Sequence, residues 1–233
     1  LIDGGPGKSV LAELSKVMLA YDRSIDAVLV SNPDKDHIGG LLEVLKTFEV
    51  GAVLEPGTKP ETAIYQEFEK AVADEGAKKI LARRGMKVVM DETSPADEAA
   101  PTLIILFPDR DVSGTKTNDG SIVAKLTYGN TAVMLTGDAP ESIERYLVLL
   151  DGANLRSDLL KVGHHGSRTS SSAEFLAAVA PAAAIISVGE NNSYGHPNQE
   201  TLARLQAAGA EILRTDQNGT IIFTSDGVSF QRE

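Results

Sequence analysis

The sequence predicts an α+β fold in which two sheets pack together with helices on the outside. Segments with strand periodicity and segments with helix periodicity alternate along the 233 residues. Turn pairs such as Gly129-Asn130 separate successive strands, which predicts antiparallel hairpins within both halves of the chain. We expect a single domain over residues 1–233. No apolar run approaches the roughly 18–20 residues needed to span a bilayer.

The first part of the chain begins with a strand end at Leu1–Asp3, followed by segments whose apolar residues recur at helical spacing or form short buried runs. The predicted helices lie near Lys8–Tyr21, from Ile38 to Phe48, and over Glu61–Arg84 with a break near Gly76. The predicted strands are Asp26–Val30, Ala52–Leu54 and Lys87–Met90. The acidic segment Asp91–Pro101 has no apolar periodicity and is expected to be an exposed connection.

The second part of the chain contains more strands than the first. The predicted strands are Thr102–Phe107, Ser121–Tyr128, Thr131–Thr136, Asp158–Val162, Ala183–Val188, Glu211–Arg214, Thr220–Thr224 and Val228–Gln231. The predicted helices lie near Pro140–Leu150, Ser171–Val179 and Asn198–Ala208. The turn pairs Asn218-Gly219 and Asp226-Gly227 precede the last two strands.

Composition excludes several classes of site. The chain has no cysteine, which rules out disulfides, thiolate zinc sites and a cysteine nucleophile. The net charge of −11 argues against a general nucleic-acid scaffold, because phosphate binding normally relies on a surplus of Lys and Arg. An enzyme that holds phosphates through metal ions is compatible with this charge. The opening Leu-Ile-Asp-Gly-Gly resembles the end of a strand already inside a sheet, so we expect the native protein to be longer.

The segment Ser31–Gly40 is the most informative part of the chain. It places Asp34, Asp36 and His37 in a short loop after an apolar strand. Such a cluster of carboxylates repels itself unless a cation neutralises it, and carboxylate oxygens with an imidazole nitrogen suit a divalent metal. The alternative is a helix N-cap, for which one aspartate suffices. A metal in this loop predicts a hydrolase, because a bound metal makes hydroxide available at neutral pH.

Each of the four histidines follows a predicted strand and lies in a loop rich in Gly, Asp or Ser. Loops at strand ends are where α/β proteins place their chemistry. His164 and His165 are adjacent and flanked by glycines, which predicts a ligand role for one of them. His196 follows Tyr194-Gly195 and is expected to transfer a proton, bind phosphate or cap a helix. Asp138 ends an apolar strand, and a plain turn is the alternative there.

Two short patterns are rejected. Gly4-Gly5-Pro6-Gly7-Lys8-Ser9 resembles a phosphate-binding loop, but Ile2 stands where that motif requires its first glycine. Asp34-Lys35-Asp36 begins like a calcium loop, but Leu45 stands where the final glutamate is required.

Together these segments resemble the metallo-β-lactamase superfamily, and most closely the hydrolase-like domain of ComEC-type DNA-uptake proteins. The matching segments are Leu-Ile-Asp-Gly-Gly at 1–5, Asp-Lys-Asp-His-Ile-Gly-Gly at 34–40, Thr-Gly-Asp at 136–138, Leu-Lys-Val-Gly-His-His-Gly-Ser at 160–167, Ile-Ile-Ser-Val-Gly at 185–189 and Tyr-Gly-His-Pro at 194–197. The resemblance implies a four-layer αββα sandwich with a metal site at the sheet edges. It also implies that the opening strands of the fold precede this numbering.

The resemblance also implies a set of metal ligands. These are Asn32, Asp34, Asp36, His37, Asp138 and His164. Asn32 stands where the family pattern has a histidine, and Asn118 and Asp119 lie where a further histidine of the superfamily would fall. The implied cofactor is one or two divalent ions, Mn²⁺ or Zn²⁺, with Mg²⁺ also compatible. The oxygen-rich ligand set favours Mn²⁺ or Mg²⁺ over a histidine-rich zinc site.

The expected activity is metal-dependent hydrolysis of phosphodiesters, including DNA. Asp36, His165 and His196 are the expected catalytic residues, and Ser167, Asn192 and Tyr194 are expected to line the substrate cleft. Two alternatives stay open: an ester, lactone or β-lactam hydrolase of the same fold, and a catalytically degenerate binding domain in which Asn32 has disabled the site. No membrane contact is evident in the sequence. The expected location is either the cytoplasm or the extracytoplasmic part of a membrane protein.

Overall fold

The computed structural model describes residues 1–90 and 100–233, and the chain divides into two compact units. The first unit comprises Leu1–Arg83 and Pro108–Ile122, and the second comprises Arg84–Phe107 and Val123–Glu233. The single domain expected over residues 1–233 stays a prediction. The connection predicted at Asp91–Pro101 lies almost wholly outside the described residues. Among the residues described, no helix is both long and apolar enough to cross a membrane.

The first unit is built from four helices and one parallel sheet. The helices are α1 (Ser9–Val17), α2 (Lys35–Ile38), α3 (Leu41–Thr47) and α4 (Ala63–Glu75), and the strands are β1 (Ser24–Leu29), β2 (Glu49–Glu55) and β3 (Lys78–Leu81). The strands pair in the order β1-β2-β3, and both pairings are parallel. The expectation of antiparallel hairpins in both halves of the chain was therefore wrong for this sheet. Helices connect its successive strands, and such crossovers bring the chain back to the same end of the sheet.

The helix predicted over Glu61–Arg84 was also wrong in its second part. After the predicted break near Gly76, the chain forms a strand and not a helix. Helix α4 ends at Glu75, because Gly76 adopts a left-handed conformation with φ of 77° and its N–H donates to the carbonyls of Val72 and Ala73. Strand β3 follows and pairs with β2 at the sheet edge. Two of its four residues are lysines and three are exposed, which is common for an edge strand and leaves little apolar signal in the sequence.

Apolar side chains from the helices and from β1 and β2 form the core of the first unit. Its buried members include Ile25, Val28, Val30, Ile38, Leu41, Leu42, Val44, Leu45, Val50, Val53, Tyr65, Phe68 and Val72. Helices α2 and α3 thus bury the apolar residues that follow the acidic loop, which anchors that loop at the end of β1.

Among its described residues, the second unit contains a seven-stranded sheet, a two-stranded hairpin and four α-helices. The strands are β4 (Lys87–Val89), β5 (Thr102–Phe107), β6 (Val123–Tyr128), β7 (Thr131–Leu135), β8 (Leu159–Lys161), β9 (Ala183–Ile186), β10 (Glu211–Arg214), β11 (Phe223–Ser225) and β12 (Phe230–Arg232), and the helices are α5 (Glu141–Asp151), α6 (Ala173–Val179), α7 (Gln199–Ala207) and α8 (Thr215–Asn218). The large sheet has the order β10-β9-β8-β7-β6-β5-β4, and β11 pairs with β12.

The large sheet changes direction at β7. Strands β4 to β7 are antiparallel, whereas β7 to β10 are parallel. The hairpin predicted at Gly129-Asn130 is confirmed, since Tyr128 pairs with Thr131 across a two-residue turn. Because β7, β8 and β9 run parallel, the loops after them leave the sheet at one edge. Those loops carry Asp138, the two adjacent histidines and Ser187.

Candidate functional site

The acidic loop of the first unit runs from the end of β1 into α2. Asp34 occupies the N-cap position of α2, but its side chain makes no capping hydrogen bond. Its Oδ2 instead accepts a 2.9 Å hydrogen bond from the Thr117 hydroxyl. The N-cap interpretation therefore does not account for this carboxylate. Asp36 and His37 follow within α2, and each offers a potential ligand atom, the two lying within 4.8 Å of each other.

Asp3 holds the imidazole of His37 in one orientation. The Nδ1 atom of His37 lies 2.9 Å from Oδ2 of Asp3, and the ring is 1% exposed. Ser31 donates to both oxygens of the same carboxylate, through its hydroxyl at 2.6 Å and its backbone N–H at 2.8 Å. An ionised carboxylate accepts the Nδ1 proton, so the lone pair of the neutral ring is on Nε2. This is the arrangement found for histidines that ligate metals.

The sequence analysis assigned no role to Asp3. A parallel bridge from Ile2 to Leu29 places the strand end Leu1–Asp3 beside β1, which brings Asp3 to the acidic loop. The signal was present in the matching Leu-Ile-Asp-Gly-Gly segment, but the contact partner of its aspartate depends on strand pairing between distant parts of the sequence.

Asn32 is completely buried, and its amide bonds to the loop at 117–121. Its Nδ2 donates to Oδ1 of Asn118 at 2.8 Å and to the Ser121 hydroxyl at 3.3 Å. Its Oδ1 accepts from the backbone N–H of Asp34 at 3.0 Å. The metal-ligand role expected for Asn32 stays a prediction, but three polar contacts within the first unit already engage its side chain.

In the second unit, Asp138 follows β7 after a turn at Gly137, and its side chain is 3% exposed. The Nε2 atom of His164 lies 3.8 Å from its Oδ2, and that of His165 lies 3.9 Å from its Oδ1. Both histidines have positive φ, 49° and 53°, which is unusual for two successive residues that are not glycine. Local strain of this kind is characteristic of functional sites.

The two adjacent histidines differ in their second contact. Nδ1 of His165 lies 2.7 Å from the backbone carbonyl of Ser187 and must donate to it, so the lone pair of the neutral ring is on Nε2, near Asp138. Nδ1 of His164 lies 3.4 Å from the Thr169 hydroxyl, which is a weaker contact. The second unit therefore orients the ring of His165 more firmly than that of His164.

His196 lies beside the pair of histidines. Its ring centroid is 5.7 Å from that of His164, and Tyr194 stacks on it at 6.0 Å. Burial lowers the pKa of the His196 imidazole, the neighbouring histidines lower it further, and the Asp138 carboxylate opposes them. Asn192 holds the loop, since its side chain bonds to the backbone N–H and carbonyl of His196 at 3.0 and 2.8 Å.

The expected substrate-lining residues of this unit differ in exposure. The Tyr194 side chain is largely exposed, whereas Ser167 is buried and its hydroxyl lies 3.0 Å from that of Thr169. Asn192 has contacts that brace a loop. Their expected role in binding substrate stays a prediction.

Two charged side chains that the sequence analysis did not single out support the histidine loop. The buried Glu144 on α5 accepts from the backbone N–H groups of Ser171 and Ser172 at 2.6 and 2.8 Å. Arg204 on α7 donates to the carbonyls of Arg168 and Ser170 at 3.0 and 2.9 Å. Nothing in the local sequence distinguishes these two from ordinary helix-surface residues, because their partners are distant in the chain.

Each unit thus carries a carboxylate and an imidazole whose Nδ1 is held by an oxygen acceptor. Asp36 and His37 form this pair in the first unit, and Asp138 and His165 form it in the second, where their ligand atoms also lie within 4.8 Å of each other. Carboxylate oxygens and neutral Nε2 atoms are the donors that divalent transition metals accept in proteins. The residues present therefore fit a divalent metal ion.

Comparison with known proteins agrees with this chemistry. Residues 1–190 match the metallo-beta-lactamase superfamily. ComE operon protein 3 of Bacillus subtilis is 35% identical over 206 residues, which cover 85% of this chain and 24% of that protein. Competence protein ComA of Neisseria gonorrhoeae is 30% identical over 254 aligned positions, covering 99% of this chain and 33% of that protein. The chain thus spans between a quarter and a third of these relatives.

A solved structure shares the fold. The diiron beta-hydroxylase CmlA from Streptomyces venezuelae superposes with a TM-score of 0.53 at 13% identity, over 82% of this chain and 44% of that one. At this identity the likeness shows the fold and not the reaction. Together with the sequence match over most of its length, these findings show that the chain belongs to the metallo-β-lactamase superfamily.

Proposed function

We propose that this chain is a metal-dependent phosphodiesterase that acts on DNA. The observation that carries the proposal is the orientation of His37 and His165, in each of which an oxygen acceptor holds Nδ1 and so places the lone pair of the neutral ring on Nε2. The competence relatives favour DNA as the substrate, because competence is the uptake of DNA. Ligands of this kind also suit a chain with a net charge of −11, because a bound cation offsets the repulsion between the protein and a phosphate.

We assign the metal ligands to Asp36, His37, Asp138 and His165. The sequence resemblance implies a ligand role for Asp36, His37 and Asp138, and for one of the two adjacent histidines. Divalent metal held by these residues would activate water and neutralise charge on the scissile phosphate. The sequence favoured His164 as the histidine ligand, and we choose His165. The Ser187 carbonyl accepts a stronger hydrogen bond from the His165 ring than any contact that holds the Nδ1 of His164.

We assign proton transfer to His164 and His196. These imidazoles lie side by side. Neither Nδ1 is held by a backbone carbonyl in the way that the Ser187 carbonyl holds that of His165. A neutral imidazole accepts a proton at one nitrogen and can return it to the leaving oxygen, as general acid–base catalysis requires. The stacked and exposed Tyr194 offers a face for a nucleobase or for an aromatic leaving group.

The experiment compares substrates under one metal condition. The chain is stripped with a chelator, reloaded with Mn²⁺, and assayed on bis(p-nitrophenyl) phosphate and on single- and double-stranded DNA. Loss of Asp36 or Asp138 should lower these rates by more than about 100-fold, since loss of a residue behind a ligand already costs about 10–100-fold. The matched control is Asp74→Ala, because Asp74 is exposed on α4.

Turnover of p-nitrophenyl acetate or a chromogenic β-lactam, with no phosphodiester cleavage, would instead establish an ester or lactam hydrolase. If Asp36→Ala changed neither the metal content nor any rate, the chain would be a degenerate binding domain.

A further inference from the structure

The amide nitrogen of the Asn32 side chain donates two hydrogen bonds. Both Nδ2 protons have acceptors within the first unit, Asn118 Oδ1 at 2.8 Å and the Ser121 hydroxyl at 3.3 Å. Asn32 is 0% exposed, so these bonds do not compete with water. A buried amide with both protons bonded is expensive to rotate away from its partners.

The oxygen of Asn32 is fixed by the same network. It accepts the backbone N–H of Asp34 at 3.0 Å, which settles the orientation of the amide. The flipped amide would place Nδ2 against that N–H, with two donors facing each other. The amide thus connects Asn118 on one side to the backbone of Asp34 on the other.

Further contacts join the two loops. Thr117 donates to the Asp34 carboxylate at 2.9 Å, and the N–H of Ile122 donates to the Ser31 carbonyl at 2.8 Å. Gly120 lets the loop at 117–121 approach Thr58 closely. Any larger residue there would clash, because a Cβ at Gly120 would lie 2.2 Å from the Thr58 methyl group. The loop at 117–121 is therefore packed in place and forms a rigid support for the acidic loop.

We propose that Asn32 is a positioning residue and not a metal ligand. Its Nδ2 is engaged by Asn118 and Ser121, and its Oδ1 accepts from the backbone N–H of Asp34. Asn32 thereby orients Asp34 and the start of α2, where Asp36 and His37 lie. The family pattern has a ligand histidine at this position, so one of two metal positions would lack a ligand, and we expect the chain to retain one metal equivalent and not two. The metal count rests on the function proposed above, whereas the bond between the two asparagines does not.

Metal content tests the first part of this proposal. The chain, Asn32→Ala and Asp36→Ala are stripped, reloaded with Mn²⁺, freed of unbound ions and measured by elemental mass spectrometry. We expect one equivalent in the native chain, the same one-equivalent stoichiometry at weaker Mn²⁺ affinity in Asn32→Ala because α2 is less well positioned, and almost none in Asp36→Ala. Two equivalents in the native chain and one in Asn32→Ala would make Asn32 a ligand and overturn the proposal.

A double-mutant cycle between Asn32 and Asn118 tests the second part without any metal. Each alanine variant, and the pair, is melted in the presence of chelator. We expect each single variant to lower the melting temperature by about 2–6 °C, and the double variant to fall by clearly less than the sum. Additive shifts would show that the amides do not act together and would overturn the positioning role.

The two measurements separate failure of this inference from failure of the proposed function. If the native chain retains no metal but the cycle shows coupling, the metal-dependent function fails and the positioning role of Asn32 stands. If metal is retained but the shifts are additive, the metal binding that the proposed function requires stands and the positioning role fails.

Discussion

Oδ2 of Asp3 lies 2.9 Å from Nδ1 of His37, although the two residues are 34 positions apart in the sequence. The contact exists because the strand end at Leu1–Asp3 runs beside β1 and the acidic loop turns back toward it. It fixes the tautomer of His37 and orients its Nε2 atom. Asp3 thus controls a potential ligand without being one.

Asp3→Asn should weaken Mn²⁺ binding by about 10–100-fold, because the neutral amide stabilises the orientation and basicity of His37 less than a carboxylate does. Asparagine tolerates the φ of 53° at this position, so the fold should persist. Affinity is measured by titration against a competing chelator. Asp74→Asn, on the exposed face of α4, is the control and should bind as the native chain does. Equal affinity in the two variants would remove Asp3 from the site.

Gly40→Ala should lower the free energy of unfolding by roughly 1–3 kcal/mol, as overpacking does elsewhere. A Cβ at Gly40 would lie 2.0 Å from the carbonyl oxygen of Gly4 and 2.7 Å from that of Gly7, and backbone atoms cannot move aside cheaply. Urea unfolding measures the change. Gly114→Ala is the control, since a Cβ there meets no atom within 4 Å. A native-like midpoint for Gly40→Ala would contradict the close approach of these loops.

Arg204→Lys should destabilise the chain by about 1–3 kcal/mol, because lysine lacks the planar fork that reaches several acceptors at once. Arg204 bonds Glu141 at 2.7 Å and two carbonyls of the histidine loop. Arg145 bonds the other oxygen of Glu141 at 2.6 Å but lies on the surface, so Arg145→Lys should change stability by less than about 0.5 kcal/mol. Thermal unfolding of both variants makes the comparison. Equal shifts would mean that the two loop carbonyls add nothing.

Glu144 should make stability depend on pH in mildly acidic solution. Burial raises the pKa of its carboxyl above the ordinary 4.5, although the N–H groups of Ser172 and Ser171 oppose this. Between pH 4.5 and the native pKa, the folded chain holds a proton that the unfolded chain has released. The contribution of the Glu144 carboxyl to stability is therefore complete below pH 4.5 and is lost as the pH rises through the pKa of this group in the folded chain.

Glu144→Gln removes this titration, so its free energy of unfolding should fall less steeply with rising pH than that of the native chain. Urea unfolding from pH 4.5 to 7 gives the two slopes. Glu174→Gln, on the exposed face of α6, should keep the native slope. A native slope in Glu144→Gln would show that the carboxyl does not titrate in this range.

The sequence was sufficient for the family and for most strands and helices. Its informative segments are local. The acidic loop, the Thr-Gly-Asp turn and the pair of adjacent histidines are each no more than ten residues long, and each follows a strand of strong apolar character. Strand β3 was missed because it is a short and mostly exposed edge strand that begins with two lysines, so it has little apolar periodicity.

What only the tertiary structure decided is which atoms of these residues are engaged by distant parts of the chain. Asn32 and His37 are neighbours in one motif, yet distant partners, Asn118 and Asp3, engage the first through its amide and orient the second through Nδ1. The choice between His164 and His165 likewise depends on a carbonyl of the strand-end loop at Ser187. Residue type determines which chemistry a side chain can perform. Hydrogen bonds to residues far away in the chain engage some of its atoms and orient the others, and spacing within a motif carries no information about these bonds.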